Sequence, residues 1–310
     1  MKPGQNLSAA LLALAASAIL SFIDNFVAAI ANEAGLWQFQ VTRTLMAIPL
    51  LFIGARLLGM KLLPVNLPML AGRSLIVSTG LMMYFAALGF LPVAQAGAGL
   101  FSAPIWVLVF SAILFSRRLG MTQIIAATGG FAGVVLVLGI TPASLSLLAL
   151  VPLTAGAFYG LGMLVTRHWC SSESPAALAL GIFLMMGLFS LIALCYFTVW
   201  PVHGSDTEFT LRGYQPVSET FYWLTLLQAA GSVIAVSMIS QAYRIGDPAY
   251  VAVFEYSFLI FAAIWTFLLW GKAIEANPVI GIGLIVFCGG IVALADHRFK
   301  KNQQLNLEGD

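Results

Sequence analysis

The sequence predicts an all-α integral membrane protein of ten transmembrane helices, built as two inverted five-helix repeats with both termini in the cytoplasm. Three observations predict it. Of 310 residues, 61% are hydrophobic and 8% charged, with a mean hydropathy of +0.98, whereas about a quarter of a soluble domain is charged. Apolar runs follow one another along nearly the whole chain, each near the ~20 residues that a helix needs to cross hydrocarbon. A pattern of Pro, Gly and basic residues also recurs half a chain apart.

The runs fall at residues 8–30, 37–58, 67–90, 93–116, 121–140, 146–167, 175–200, 220–243, 248–270 and 276–296. The first follows Lys2 as in a secretory leader but continues to Ile30. That exceeds the ~7–15 apolar residues of a leader, so it reads as an uncleaved span. Most connections are short and carry breakers such as "LPVNLP", "FLPVA", "ITPAS" and "RIGDP". The long polar one is "PVHGSDTEFTLRGYQPVSE", residues 201–219. With alternate connections on opposite faces, Lys2, Arg56, Lys61, Arg117, Arg118, Arg167, Arg244, Arg298, Lys300 and Lys301 share one side, against Arg212 and Lys272 on the other. That bias places both termini in the cytoplasm. The expected division is a first repeat at 8–140, a second at 146–296 and a cytoplasmic tail at 297–310.

The repeat is visible in "YFAALGFLPVAQAGAGLFSAPIWVLVFSAILFSRRLG", from Tyr84, and "YRIGDPAYVAVFEYSFLIFAAIWTFLLWGKAIE", from Tyr243. Each has a Pro after a short break, then a span closed by a small-plus-basic pair (Ser116–Arg117, Gly271–Lys272), then a Gly-rich span. Five helices per repeat is an odd number, so the second repeat enters the membrane upside down. Inverted halves that rock about a shared site are a transporter signature.

Other classes fare poorly. The net charge of +2 is spread over short connections, which excludes nucleic acid as a partner. Cys170, Cys195 and Cys288 lack metal-ligand spacing and read as packing residues. His168, His203 and His297 fall in loops or tails, with no phosphate loop or nucleophile motif, so the chain is not expected to be an enzyme or to hold a cofactor. A channel or a non-transporting membrane subunit is the alternative to a transporter.

Charges inside apolar spans cost free energy and usually face a cavity. Asp24, near the end of the first span, and Arg43, near the start of the second, lie at matching depth, ~9–10 Å below the periplasmic surface. They are expected to pair on the external path, with Arg43 alternating between Asp24 and an anionic group of the cargo; a static bridge is the other reading. Arg73 and Glu255 match at ~10 Å from the cytoplasmic face and are expected to bridge the two halves as an inner gate. Arg73 snorkelling to headgroups is the alternative, and Glu255 is a candidate for a proton or a cargo amine. Tyr84, Trp106 and Tyr256, with Trp37, Tyr159 and Trp265, supply aromatic surface for a pocket; Gln95 and Ser102, with Asn25, Gln228 and Ser237, supply polar groups.

Asp24 in the first span, "WQFQVTR" leading into the second, "LGFLPVAQAGAGLFSAPIWVLVFSAILFSRRLG" and "DPAYVAVFEYSFLIFAAIWTFLLWGK" together resemble the drug/metabolite transporter superfamily in its EamA type. The similarity runs from about residue 10 to 296. It implies a secondary transporter that carries a small organic metabolite, such as an amino acid, vitamin or nucleoside-like compound, across the inner (plasma) membrane. Arg117 and Lys272 depart from the family's frequent Glu, and no Lys stands near Ala28. Proton coupling, exchange for a counter-metabolite, direction of flux and oligomeric state are left open.

Overall fold

The structure is a computed structural model and describes residues 3–100, 102–115, 120–138, 147–202, 208–246, 251, 254–272, 278–288 and 290–291. Arg117, Arg118, His203, His297, the predicted repeat boundaries at 140 and 146, and the predicted tail lie outside the described residues. All described elements are helices: α1 (Pro3–Asp24), α2 (Val27–Glu33), α3 (Leu36–Leu57), α4 (Leu67–Ala87), α5 (Val93–Leu100), α6 (Ala103–Phe115), α7 (Met121–Leu138), α8 (Leu147–Trp169), α9 (Pro175–Val199), α10 (Glu208–Leu211), α11 (Glu219–Ile245), α12 (Ser257–Trp270) and α13 (Pro278–Cys288).

Among the described residues, seven helical segments are long and apolar enough to cross a membrane, and three shorter apolar helices accompany them. Their outward faces fit hydrocarbon rather than water. Leu184, Leu188, Leu191 and Ile192 on α9 are each at least 50% exposed, a density of open aliphatic surface that a soluble monomer avoids.

Among the described residues three predicted spans are interrupted, the ninth at Tyr256. The first divides at Asn25 and Phe26, where the Asn25 side chain donates to the Ser21 carbonyl at 2.8 Å in place of the helical ladder. The fourth divides between α5 and α6, where Ser102 Oγ donates to the Gly99 carbonyl at 2.7 Å. Short polar side chains that bond the backbone in this way compete with helix propagation. Elsewhere the ends are capped as the sequence suggests: Asn66 accepts from Met69 N–H ahead of α4, Ser174 accepts from Ala177 N–H ahead of α9, and Gly271 ends α12 at φ 63°.

First-half helices pack chiefly on second-half helices: α4 on α8 and α9, α1 on α11 and α12, α3 on α9 and α11. Backbones approach closely where glycine allows it. A Cβ on Gly80 would lie 2.8 Å from the Ala155 carbonyl oxygen across the α4–α8 contact.

Residues 208–218, between α9 and α11, form a strap over one end of the bundle. Trp37 Nε1 donates to Thr210 O at 2.5 Å, Gln38 exchanges two hydrogen bonds with the Gln215 backbone at 2.7 and 2.9 Å, Arg212 donates to Ala31 O at 3.1 Å, and Ser218 N–H donates to Glu33 at 2.9 Å. Phe209 is buried beside Gly89.

Candidate functional site

The break after α1 leaves Asp24 at a helix end inside the bundle, 3% exposed. Its carboxylate is held from two directions. Tyr84 OH on α4 donates to Oδ2 at 2.6 Å, and Gln228 Nε2 on α11 donates to Oδ1 at 3.0 Å. The same Gln228 nitrogen donates to the Ile23 carbonyl at 2.8 Å, which also accepts the Phe26 N–H at 3.1 Å in the turn that ends the helix.

Arg43 on α3 is equally buried and lies among aromatic rings. Its Cζ is 4.4 Å from the Phe85 ring centroid, 5.6 Å from Phe39 and 5.8 Å from Phe183. Nη2 donates to Met186 Sδ at 3.5 Å, and Nε is buried with no hydrogen-bond partner. Rings within about 6 Å attract a cation through their quadrupoles, yet none accepts a proton as a carboxylate does. The expected Asp24–Arg43 bridge is therefore not formed. Asp24 is satisfied by neutral donors, while Arg43 makes no ion pair with any described residue.

Both charges face one cavity of about 60 Å³. Leu20, Val77, Leu81 and Tyr84 wall one side; Tyr159, Met163, Phe183 and Met186 another; Ser232, Val236, Ile239 and Ser240 on α11 complete it with Phe258. Pockets for drug-sized ligands have ~300–1,000 Å³, so the space in this conformation is narrower than such a ligand needs and suits a few waters.

The second expected bridge is likewise absent. Arg73, fully buried on α4, donates from Nε to Thr166 Oγ1 at 2.8 Å and from Nη1 to Leu178 O at 3.1 Å. Glu255 accepts Tyr159 OH at Oε1, 2.7 Å, and Tyr243 OH at Oε2. Equal depth did not bring the two together because α4 turns Arg73 toward α8 and α9. Arg73 also does not snorkel.

Of the aromatic candidates, Tyr84 and Tyr159 line the cavity and the tryptophans do not. Trp37 is bonded to the strap, Trp106 Nε1 donates to Ser102 Oγ at 3.1 Å, and Trp265 Nε1 donates to Ala18 O at 3.3 Å. Each indole N–H has a partner within the helix scaffold. Tyr256 caps α12 and Gln95 is half-buried on α5, both outside the lining. Ser102 is taken up by the α5–α6 break, and Ser237 lies in a separate open cleft with Lys61 and Arg244. Sequence reasoning passed over Met186, Ser232, Ser240 and the role of Tyr243. For the three on α11, only the spacing of Ser232, Val236, Ile239, Ser240 and Tyr243 along one stripe could have pointed to them; Met186 on α9 had no such signal.

Apolar helices enclosing a small cavity that holds a buried acid and a buried base define a membrane protein that handles a small solute. Comparison with known proteins agrees. Residues 7–139 match the EamA-like transporter family. A riboflavin transporter of Vibrio cholerae is 23% identical over 69% of this chain and 67% of its own length. A pseudopaline exporter, CntI, of Pseudomonas aeruginosa is 23% identical over 95% of this chain and 97% of its own. A protein of known crystal structure shares the fold, with a TM-score of 0.68 at 19% identity over 94% of this chain and 99% of its own. The protein is a multi-pass, non-enzymatic small-molecule transporter. Its likeness to the EamA-like transporter family extends over residues 7–139, less than half of the chain.

Proposed function

We propose that the protein moves a small organic solute bearing an anionic group across the inner membrane by alternating access, with Arg43 as the cation that receives that group. The observation that carries the reading is Arg43 itself: a buried guanidinium at the cavity wall, with an unpartnered Nε and no ion pair among the described residues. Burying a lone charge costs several kcal/mol, and an arginine presents a fork of donors matched to a carboxylate or phosphate. Asp24, fixed by Tyr84 and Gln228, sits across the same cavity and suits a cationic group on a zwitterionic solute. Tyr84 and Tyr159 supply hydroxyls at its wall.

The narrow cavity and the strap over one end support a contracted stage of an alternating cycle. Three shorter apolar helices beside seven full-length ones support ten spans in two inverted five-helix repeats, and the Lys and Arg bias supports cytoplasmic termini. Relatives named for riboflavin and for pseudopaline make vitamins and charged organic metabolites the first compounds to try.

A thermal-shift screen of purified protein against riboflavin, pseudopaline, amino acids and nucleosides tests the reading, because a ligand of the folded state stabilises it by RT ln(1 + [L]/Kd). The expected result is a shift with an anionic or zwitterionic compound that disappears in Arg43→Met. Saturable uptake of that compound into proteoliposomes then separates a carrier from a channel. A shift that survives in Arg43→Met would refute the assignment of the arginine.

A further inference from the structure

We propose that Glu255 is a proton-binding site whose state is passed to the solute cavity through Tyr159. The geometry singles out this carboxylate. Glu255 is 1% exposed, and its two oxygens accept the hydroxyls of Tyr159 on α8 and Tyr243 on α11. The other groups around it are Tyr256 in the adjoining turn, Cys288 on α13 near Tyr256, and Arg73 on α4, which acts on Tyr159 while its own hydrogen bonds go to Thr166 and Leu178. Among the described residues no cation pairs with Glu255.

A comparison with Asp24 shows why the identity of these partners matters. Gln228 Nε2 is tied to Asp24 and to the Ile23 carbonyl together, so the amide cannot turn over to accept without losing the second bond, and of the two groups on Asp24 Tyr84 alone can answer a protonated acid, whereas both groups on Glu255 can. A tyrosine hydroxyl both donates and accepts. The shell of Glu255 can therefore satisfy a carboxylate, with both hydroxyls donating, or a carboxylic acid, with one hydroxyl rotated to accept. The buried network stays bonded in either state, as a site that takes up and releases a proton within the membrane requires.

The step is simple. A proton from water adds to a Glu255 oxygen, Tyr159 changes from donor to acceptor, and its hydroxyl hydrogen turns away from Glu255. Tyr159 lines the cavity, so that hydrogen becomes a donor available to the solute. Proton binding and binding of an anionic or hydrogen-bond-accepting solute then strengthen each other reciprocally. This coupling rests on the solute reading of the cavity. The protonation itself does not, so the two can fail separately.

Infrared pH-difference spectroscopy of the reconstituted full-length protein, with no solute added, tests the proposal. The expected spectrum has a protonated-carboxyl C=O band that titrates and is lost in Glu255→Gln, and a tyrosine C–O band with the same midpoint that is lost in Tyr159→Phe. In wild-type protein, the apolar reagent dicyclohexylcarbodiimide, which attacks protonated carboxyls, should modify Glu255 with a yield that falls roughly ten-fold per pH unit above that midpoint. This second readout needs no variant to fold. Absence of the carboxyl band together with an unmodified Glu255 at every pH overturns the proton site. A tyrosine band lost in Tyr243→Phe and kept in Tyr159→Phe overturns the route to the cavity.

Discussion

Arg43→Met sets the cost of a buried charge against its role in binding. The guanidinium gains about 2 kcal/mol from the ring at 4.4 Å and about 0.5 kcal/mol from each ring near 6 Å, so roughly 3 kcal/mol from the three together. Against this stand the desolvation of an unpaired cation, several kcal/mol, and an unpartnered buried N–H, about 1–3 kcal/mol. Asp24 recovers part of that cost across the cavity without touching the arginine. Methionine removes the charge, keeps much of the length, and makes favourable sulfur contacts with the same rings. The expected outcome is a variant about 1–2 kcal/mol more stable than the wild type, unfolding a few degrees higher in the same detergent at the same scan rate. It should no longer respond to the anionic compound that stabilises the wild type. Unfolding at a lower temperature than the wild type would mean that the arginine binds the bundle together, and the argument for it as a solute ligand would fall.

Other positions give equally direct tests. Glycines separate by their surroundings: Gly80→Ala forces a Cβ to within 2.8 Å of the Ala155 oxygen and 2.9 Å of the Tyr159 nitrogen and should cost about 1–3 kcal/mol, whereas Gly54→Ala meets nothing within 4 Å and should be neutral or gain up to about 1 kcal/mol, both read by thermal unfolding. Glu173 is 1% exposed and accepts the Val65 and Asn66 backbone N–H groups at 2.7–3.0 Å. Glu173→Ala should lower stability by about 1–3 kcal/mol by leaving those donors without their acceptor, measured in the same way. Gln38→Ala removes both hydrogen bonds to Gln215, and hydrogen exchange at the Gln215 amide should speed up roughly five-fold for a loss of about 1 kcal/mol.

The long helices were legible because an apolar run has a length and an end. The observed α3, α4, α9 and α11 begin within a residue of where Trp37, Leu67, Pro175 and Thr220 open their runs, and Asn66 and Ser174 stand at two of these starts. The breaks at Asn25 and Ser102 were not legible, since one polar residue in an apolar run does not reveal whether its side chain will bond the backbone. Depth along a span could be read from residue counts, and Asp24 and Arg43 do line one cavity. Rotation about the helix axis could not, and rotation decides partners: it turns Arg73 to Thr166 and Glu255 to two tyrosines. Nothing in the sequence marks Met186 as different from any other large residue in a span, and only its place on the α11 stripe marks Tyr243.

The strap also bears on the order in which the molecule is assembled. Trp37, Gln38, Ala31 and Glu33 find their partners 173 to 185 residues further along the chain. While the polypeptide is being made, the first helices reach the membrane long before residues 210–218 exist, and their outer ends must remain bonded to water or to lipid headgroups until then. Contacts so distant in sequence form late. The cap that closes this end of the bundle is therefore among the last parts to be set, and the first half made alone would keep an unfinished edge where Ala31, Glu33, Trp37 and Gln38 meet the surrounding solvent.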